Sequence, residues 1–266
     1  MTVIQLYWLS LSVLVAVIVA VIWVSASKRR SMKRSVEAHK TEFFSLVAHY
    51  FMTPLSIIRG NVSELIDPSS ASLSKSQLIT YYLNIQVSAA RLIMLVQNIM
   101  TVSEIDQQTI SLNPTAVNLM DVIDKCITEV HSEAMQRGVN IRFDRTLEES
   151  ASQVTIDPEK FRQALINILH NSVKFTRPGG NIQVTLKTSS NSFEIQVADS
   201  GIGISKDEMT KLFTRFHRGT SYLNLDYEGV GLGLYIAKYL IELNRGQIRV
   251  DSELDKGTVV TINLIK

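Results

Sequence analysis

The chain has 266 residues, room for one or two compact domains, and its 45% hydrophobic and 20% charged content is that of folded protein and excludes a disordered polyelectrolyte. A net charge of +2 gives no reason to expect a nucleic-acid partner, and the densest basic stretch directly follows an apolar segment. The single cysteine, Cys126, excludes an intrachain disulfide and fits a reducing compartment, and beside Val122 and Ile127 it reads as a small core residue.

Met1–Ser27 contains no Asp, Glu, Lys or Arg. Within it Val3–Ala26 is apolar enough, and at about 1.5 Å rise per residue long enough, to cross a hydrocarbon core of roughly 30 Å. It is expected to be a single transmembrane helix. A cleaved signal peptide fits less well, since no positive charge precedes the apolar run and the run exceeds the usual length. Lys28, Arg29, Arg30, Lys33 and Arg34 follow at once and place the C-terminal side in the cytoplasm. The expected layout is therefore a cell-membrane protein with a transmembrane helix over 1–27, a basic juxtamembrane helix over 28–40, and its signal arriving within the membrane or through a partner membrane protein. Tyr7, Trp8 and Trp23 fall near the two membrane interfaces.

From Ser31 the pattern is helical. Phe44, Val47, Phe51, Leu55, Ile58, Val62 and Leu65 recur at three- and four-residue steps and define one apolar stripe. Asp67–Lys75, with Pro68 and its serines, breaks the helix. A second stripe at Leu78, Tyr82, Ile85, Ala89, Leu92, Val96 and Ile99 keeps a heptad spacing. A helical hairpin over 41–110 cannot bury both stripes alone, so a homodimer forming a four-helix bundle is expected.

Ser111–Val117, with Asn113 and Pro114, reads as a linker. Over 115–266 helical and strand-like stretches then alternate: helices at Leu119–Arg137, Pro158–Phe175, Ser205–Phe213 and Leu232–Leu243, and strands at Val139–Asp144, Val154–Ile156, Ile182–Thr188, Phe193–Ala198, Gln247–Ser252 and Thr258–Leu264. Asp157 before Pro158 is a good N-cap, and Ser205 with Glu208 spells a capping box. This predicts a two-layer α/β sandwich in which helices cover one face of a mixed sheet.

His49 stands off the apolar stripe of the first helix, with Thr53 one turn later on the same side. A neutral imidazole has a lone pair available for attack on phosphorus near neutral pH. Pro54 inside the helix costs roughly 3 kcal/mol, so its presence asks for a reason. In the C-terminal half, Asp199 at a strand end can accept a hydrogen bond from the exocyclic amine of adenine, and Gly201 and Gly203 let the backbone turn beside the base. Asn171 offers a neutral oxygen to a magnesium ion already held by phosphates, and Lys174 can reach the phosphates themselves. Gly229, Gly231 and Gly233 let the backbone approach phosphate, with the next helix presenting its N-terminus.

Taken together, FFSLVAHYFMTPLSII resembles the phosphoacceptor box of sensor histidine kinases, and HNSVKFT, DSGIGI, LFTRFHRG, GVGLGL and KGTVVTINL are similar to the successive boxes of their ATP-binding domain. The resemblance spans Ser31–Lys266 and implies a phosphotransfer bundle followed by an ATP-binding domain using ATP and Mg2+. By position it makes His49 the phosphoacceptor, Thr53 the residue that helps dephosphorylate a partner, Asn171 the magnesium ligand, Lys174 a phosphate contact and Asp199 the adenine reader. Phe213 and Phe216 would support a lid between about His217 and Glu228, Arg218 would reach the phosphates from it, and Thr258 would join the site from the last box. Relatives of the fold that hydrolyse ATP, such as type II topoisomerases and mismatch-repair ATPases, place a glutamate one turn before the magnesium asparagine. Here that residue is Asn167, and an amide cannot deprotonate water, so transfer to a protein side chain is favoured.

The chain departs from the family at two positions: Tyr50 stands where an acidic residue usually follows the histidine, and Met52 where an arginine is usual. A phenol is a poor base at neutral pH, and losing a positioned base typically costs about 10²–10⁴-fold in rate. Two functions follow as expectations. One is a membrane-anchored kinase that phosphorylates itself on His49 and passes the phosphate to the receiver domain of a separate response regulator. The other is an ATP-binding regulatory protein or response-regulator phosphatase with little autokinase activity.

Overall fold

The computed structural model describes residues 47–67, 73–144, 152–217 and 230–266. The segments expected to span the membrane, Val3–Ala26, and to carry the basic cluster at 28–40 lie outside the described residues, as does Pro68. By its contacts the chain divides into Met1–His49 and Tyr50–Lys266. Of the first unit, residues 47–49 are described; they are helical, with His49 exposed.

In the second unit helix α1 runs to residue 66. Pro54 is buried in it, and Ser63 and Asn61 return hydrogen bonds to the carbonyls of Arg59 and Ile57 at 2.9 and 2.7 Å. Helix α2 is Lys75–Asp106. Its start is a capping box that the sequence reading had passed over as part of the break: Ser74 Oγ accepts from the Gln77 amide, and the Gln77 side chain accepts from the Ser74 amide at 2.9 Å. Asn84 Nδ2 donates to Asn61 Oδ1 at 3.2 Å and ties the two helices. Leu55, Val62, Tyr82 and Val96 are exposed, so neither apolar stripe is fully covered within one chain.

The α/β layer is built from strands β1 (Thr115–Asn118), β2 (Asn140–Asp144), β3 (Gln153–Ile156), β4 (Asn181–Thr188), β5 (Ser192–Asp199), β6 (Gln247–Glu253) and β7 (Gly257–Ile265). Its helices are α3 (Leu119–Arg137), α4 (Pro158–Phe175), the short α5 (Lys206–Met209) and α6 (Gly233–Leu243). The main sheet is mixed, in the order β2-β4-β5-β7-β6, with β2 parallel to β4 and every other pairing antiparallel. Along β4 and β5 the residues Ile182, Val184, Leu186, Phe193, Ile195 and Val197 are buried while their alternates are not, so one face of the sheet is covered. Helix α4 lies at the centre of that cover, packed on both α3 and α6, and it buries Phe161, Leu165 and Leu169 completely. Cys126 on α3 belongs to the same core, and burial pushes its thiol up to about 12, which makes it inert.

The helix ends follow local chemistry. Asp157 caps α4 by accepting from the Lys160 amide at 2.9 Å, with Pro158 at the first helical position as expected. Asp157 also accepts from the Asn113 amide at 2.8 Å, which anchors the connection from α2. Three expectations are corrected. The end of the expected linker forms β1, which pairs antiparallel with β3 in a separate two-stranded sheet. The helix expected over Ser205–Phe213 is a helix only at Lys206–Met209, because the hydroxyls of Thr210 and Thr214 bond the carbonyls of Asp207 and Lys211 and compete with the helical ladder. The capping box at Ser205 and Glu208 does not form: Ser205 makes no side-chain cap, and Glu208 binds His217 instead.

Phe161→Ala is expected to lower the unfolding free energy by about 3–5 kcal/mol through the cavity it leaves, measured by denaturant titration, whereas Met135→Ala on the exposed side of α3 changes it by less than about 0.5 kcal/mol.

Candidate functional site

Strand β5 ends on Asp199, and the residues around that carboxylate define the site. Asp199 Oδ1 accepts from the Gly201 amide at 3.0 Å and from the Thr258 amide, at the start of β7, at 3.2 Å, while the Ser172 hydroxyl of α4 also bonds the carboxylate. Burial raises the Asp199 carboxyl above its ordinary range, and the bonds from Gly201, Ser172 and Thr258 work against that rise. An ionised carboxylate has about four lone-pair directions, so three donors leave room for a further one from a ligand. The turn admits only glycine where it crowds this group. A Cβ on Gly201 would stand 2.6 Å from the Phe175 carbonyl oxygen, and one on Gly257, at φ +106, would stand 2.0 Å from the Asp199 carbonyl oxygen.

Asp199 lines a cavity of about 280 Å3. Its apolar walls include Ile168, Ile204, Leu212, Val230, Leu232 and Val260, which suit a flat ring. Its polar groups include Asn171 and Lys174 of α4 and the backbone around Gly231 and Gly233. Helix α6 opens at Gly233 with no side-chain cap from Leu232, and a helix start of this kind favours an anion. The cavity thus combines a half-buried acceptor, an apolar slot, a lysine and a helix N-terminus.

A cluster of charges closes another side. Glu133 of α3 is buried and meets His170 of α4 through Oε2 and Arg91 of α2 through Oε1, the latter at 2.8 Å, with Arg137 Nε at 3.5 Å. Burial opposes the charge on Glu133, but the hydrogen bonds and positive charges of His170 and Arg91 overcome it and hold the carboxyl down at about 2. All four residues line the cavity.

The structure brings Asn167, Asn171, Lys174, Asp199, Gly203, Gly231, Gly233 and Thr258 to one cavity. Gly201 acts one step back, through its amide on Asp199. Phe213 lies off the cavity wall with Lys238 Nζ 5.1 Å from its ring centre, and Phe216 is exposed with its amide on the Gly231 carbonyl at 2.9 Å. Arg218, Gly229 and most of the expected lid lie outside the described residues. Tyr50 and Pro54 of α1 reach the wall, and Thr53 is half-buried beside them in sequence. Sequence reasoning passed over Arg91, Asn98, Glu133, Arg137, His170, Ser172 and Gly257. His170, Ser172 and Gly257 sit inside quoted motifs and so carried a signal; Arg91, Asn98, Glu133 and Arg137 carried none.

Residues 156–266 match the family described as histidine kinase-, DNA gyrase B-, and HSP90-like ATPase. The circadian input-output histidine kinase CikA of Synechococcus elongatus is 29% identical over 232 residues, covering 87% of this chain and 31% of that protein. The cell-division control histidine kinase PdhS of Brucella suis is 30% identical over 232 residues, covering 84% of this chain and 22% of that protein. Residues 156–266 thus carry the ATPase domain of that family, and the chain as a whole is similar to histidine kinases. It spans less than a third of the length of these curated relatives. The fold agrees with that of the histidine kinase ThkA in its complex with the response regulator protein TrrA, at TM-score 0.53 and 22% identity over 85% of this chain and 61% of that one. The α/β layer is thus the ATPase-type domain, preceded by helices.

Because Glu133 is held at about 2 against an ordinary value of 4.5, its cluster adds stability that is present above about pH 4.5 and is lost as the pH falls through about 2. Chemical denaturation across that window is expected to show a shallower loss of stability in Glu133→Gln than in the wild-type protein.

Proposed function

We propose that the chain is a membrane-anchored sensor histidine kinase that binds ATP with Mg2+ in the Asp199 cavity, phosphorylates itself on His49, and passes the phosphate to an aspartate of a separate response regulator. The observation that carries this reading is the Asp199 carboxylate, half-buried at the end of an apolar slot and fixed by three donors. A carboxylate so placed accepts from the exocyclic amine of adenine and repels the carbonyl that guanine presents there. Lys174 and the uncapped start of α6 suit the phosphates. Asn171 would hold Mg2+ through its side-chain oxygen, and the bound ion would neutralise phosphate charge.

In the transfer itself an imidazole nitrogen of His49 attacks the γ-phosphorus. The N–P bond forms, the bond from the γ-phosphorus to the bridging oxygen breaks, ADP leaves, and the imidazole proton is released. Asn167 at the position of a hydrolytic glutamate favours this route over attack by water. The half-covered stripes of α1 and α2 support a homodimeric four-helix bundle, and the apolar Val3–Ala26 supports membrane anchoring with input from within the membrane or from a partner membrane protein. The ThkA complex with TrrA supports a response regulator as the acceptor.

A second reading, an ATP-binding regulator or response-regulator phosphatase using Thr53, is favoured by one observation: Tyr50 reaches the cavity wall and brings no carboxylate to it. Incubation of the full chain in detergent with γ-labelled ATP and Mg2+ separates the two. The kinase reading predicts acid-labile label that vanishes in His49→Gln and rises about tenfold or more in Tyr50→Glu. ATP binding without label would favour the regulator.

A further inference from the structure

One wall of the Asp199 cavity comes from outside the α/β layer. Arg91, Met94, Leu95 and Asn98 of α2 all line it. The attachment of α2 to the layer includes a polar row set beside its apolar seam. Asn84, Arg91 and Asn98 recur every seven residues, so they share a face of the helix, and each meets a side chain of the layer. Asn84 accepts from Gln136, Arg91 binds Glu133, and Asn98 binds Asn167. Thr101 continues the row to Gln163, which donates to its hydroxyl at 2.8 Å, and Glu104 continues it to Lys160 at 3.2 Å.

At the centre of the row the amides of Asn98 and Asn167 bond each other in both directions. Asn98 Nδ2 donates to Asn167 Oδ1 at 2.9 Å, and Asn167 Nδ2 donates to Asn98 Oδ1 at 3.2 Å. Both residues are buried, at 6% and 3% exposure. Asn167 Nδ2 also donates to the Gln163 carbonyl at 3.0 Å, so its two N–H groups are committed to this contact. Bonds of this kind exchange readily for water when the surfaces part, because each is worth little net. Removing one member while they are together leaves the other unsatisfied, which is far more costly. The contact is therefore reversible yet sensitive to a single residue at its centre.

We propose that docking of α2 through the Asn98–Asn167 pair completes the nucleotide site, so that nucleotide binding and α2 docking reinforce each other. The inference rests on the reading of the cavity as an ATP site. Its sign follows from what α2 adds: an apolar wall from Met94 and Leu95 and a guanidinium from Arg91, both favourable to a base joined to a polyanion. A ligand that binds the docked arrangement more tightly must, by reciprocity, favour docking. Asn98 is then a positioning residue that acts through Asn167 and through the placement of Arg91.

The test is calorimetric titration of the full chain in detergent with a non-hydrolysable ATP analogue and Mg2+, together with amide hydrogen exchange. Asn98→Leu is expected to weaken binding about tenfold. In the wild-type chain the analogue is expected to slow exchange over residues 87–105, an effect that does not depend on any variant folding. Equal affinity in Asn98→Leu, or exchange in α2 that ignores the analogue, overturns the proposal while leaving the nucleotide reading intact. Tighter binding by Asn98→Leu also overturns it, by showing that docking opposes the ligand. Absence of binding to the wild-type chain, or binding that is indifferent to Asp199→Asn, sinks the nucleotide reading and the proposal with it.

Discussion

The site depends on keeping one carboxylate charged and fixed in a place that water only partly reaches. Asp199 ends a strand whose other residues alternate into the core, so its position is set by the pairing of β5 with β4 and β7. Burial favours its neutral form, and the hydrogen bonds it accepts work against that. Donors from three separate elements, the turn at Gly201, the start of β7 at Thr258 and Ser172 on α4, hold it in one orientation. The two glycines that crowd it follow from that arrangement, since each lies where a Cβ would strike backbone. Sheet, helix and turn are coupled here because no one of them supplies enough donors alone.

Helix α4 carries the rest of the coupling. Its apolar side, with Phe161, Leu165 and Leu169, is sealed into the core, so its polar residues cannot rotate away from the cavity. Asn167, His170, Asn171 and Lys174 therefore occupy fixed stations between the sheet and α2. Two of them face α2 or α3: Asn167 binds Asn98, and His170 binds Glu133. The helix that would hold metal and phosphate is thus the one that contacts the preceding helices, and a change at one end of this arrangement has a direct physical path to the other.

Much of the fold was legible in the sequence. The boundaries of α3 and α4 follow from their periodicity and caps, and the strands of the main sheet from short alternating runs. Two of the misses depend on a partner outside the local stretch, and the third, the shortened α5, on hydroxyls that compete for carbonyls three residues back. Strand β1 is short and exposed along half its length, and it is a strand only because β3 pairs with it. Glu208 looked like a cap for Ser205 because the two are three apart, but His217 offers it a stronger partner. At the site, the motif residues Asn171, Lys174, Asp199 and Thr258 could be named because their chemistry is local to their boxes. Arg91, Asn98 and Glu133 could not, since only packing of α2 and α3 beside α4 turns these ordinary polar helix residues into cavity walls.

Under the proposed function Asp199 makes this cavity a site for adenine nucleotides. Competition between ATP and GTP for the full chain, each with Mg2+ and followed by calorimetry, tests it most directly. The account predicts that ATP binds at least about tenfold more tightly than GTP and that Asp199→Asn removes most of the difference, because a carboxylate acceptor pairs with an exocyclic amine and leaves a carbonyl unpaired. Equal affinity for the two nucleotides, or a preference for ATP that survives Asp199→Asn, would contradict it.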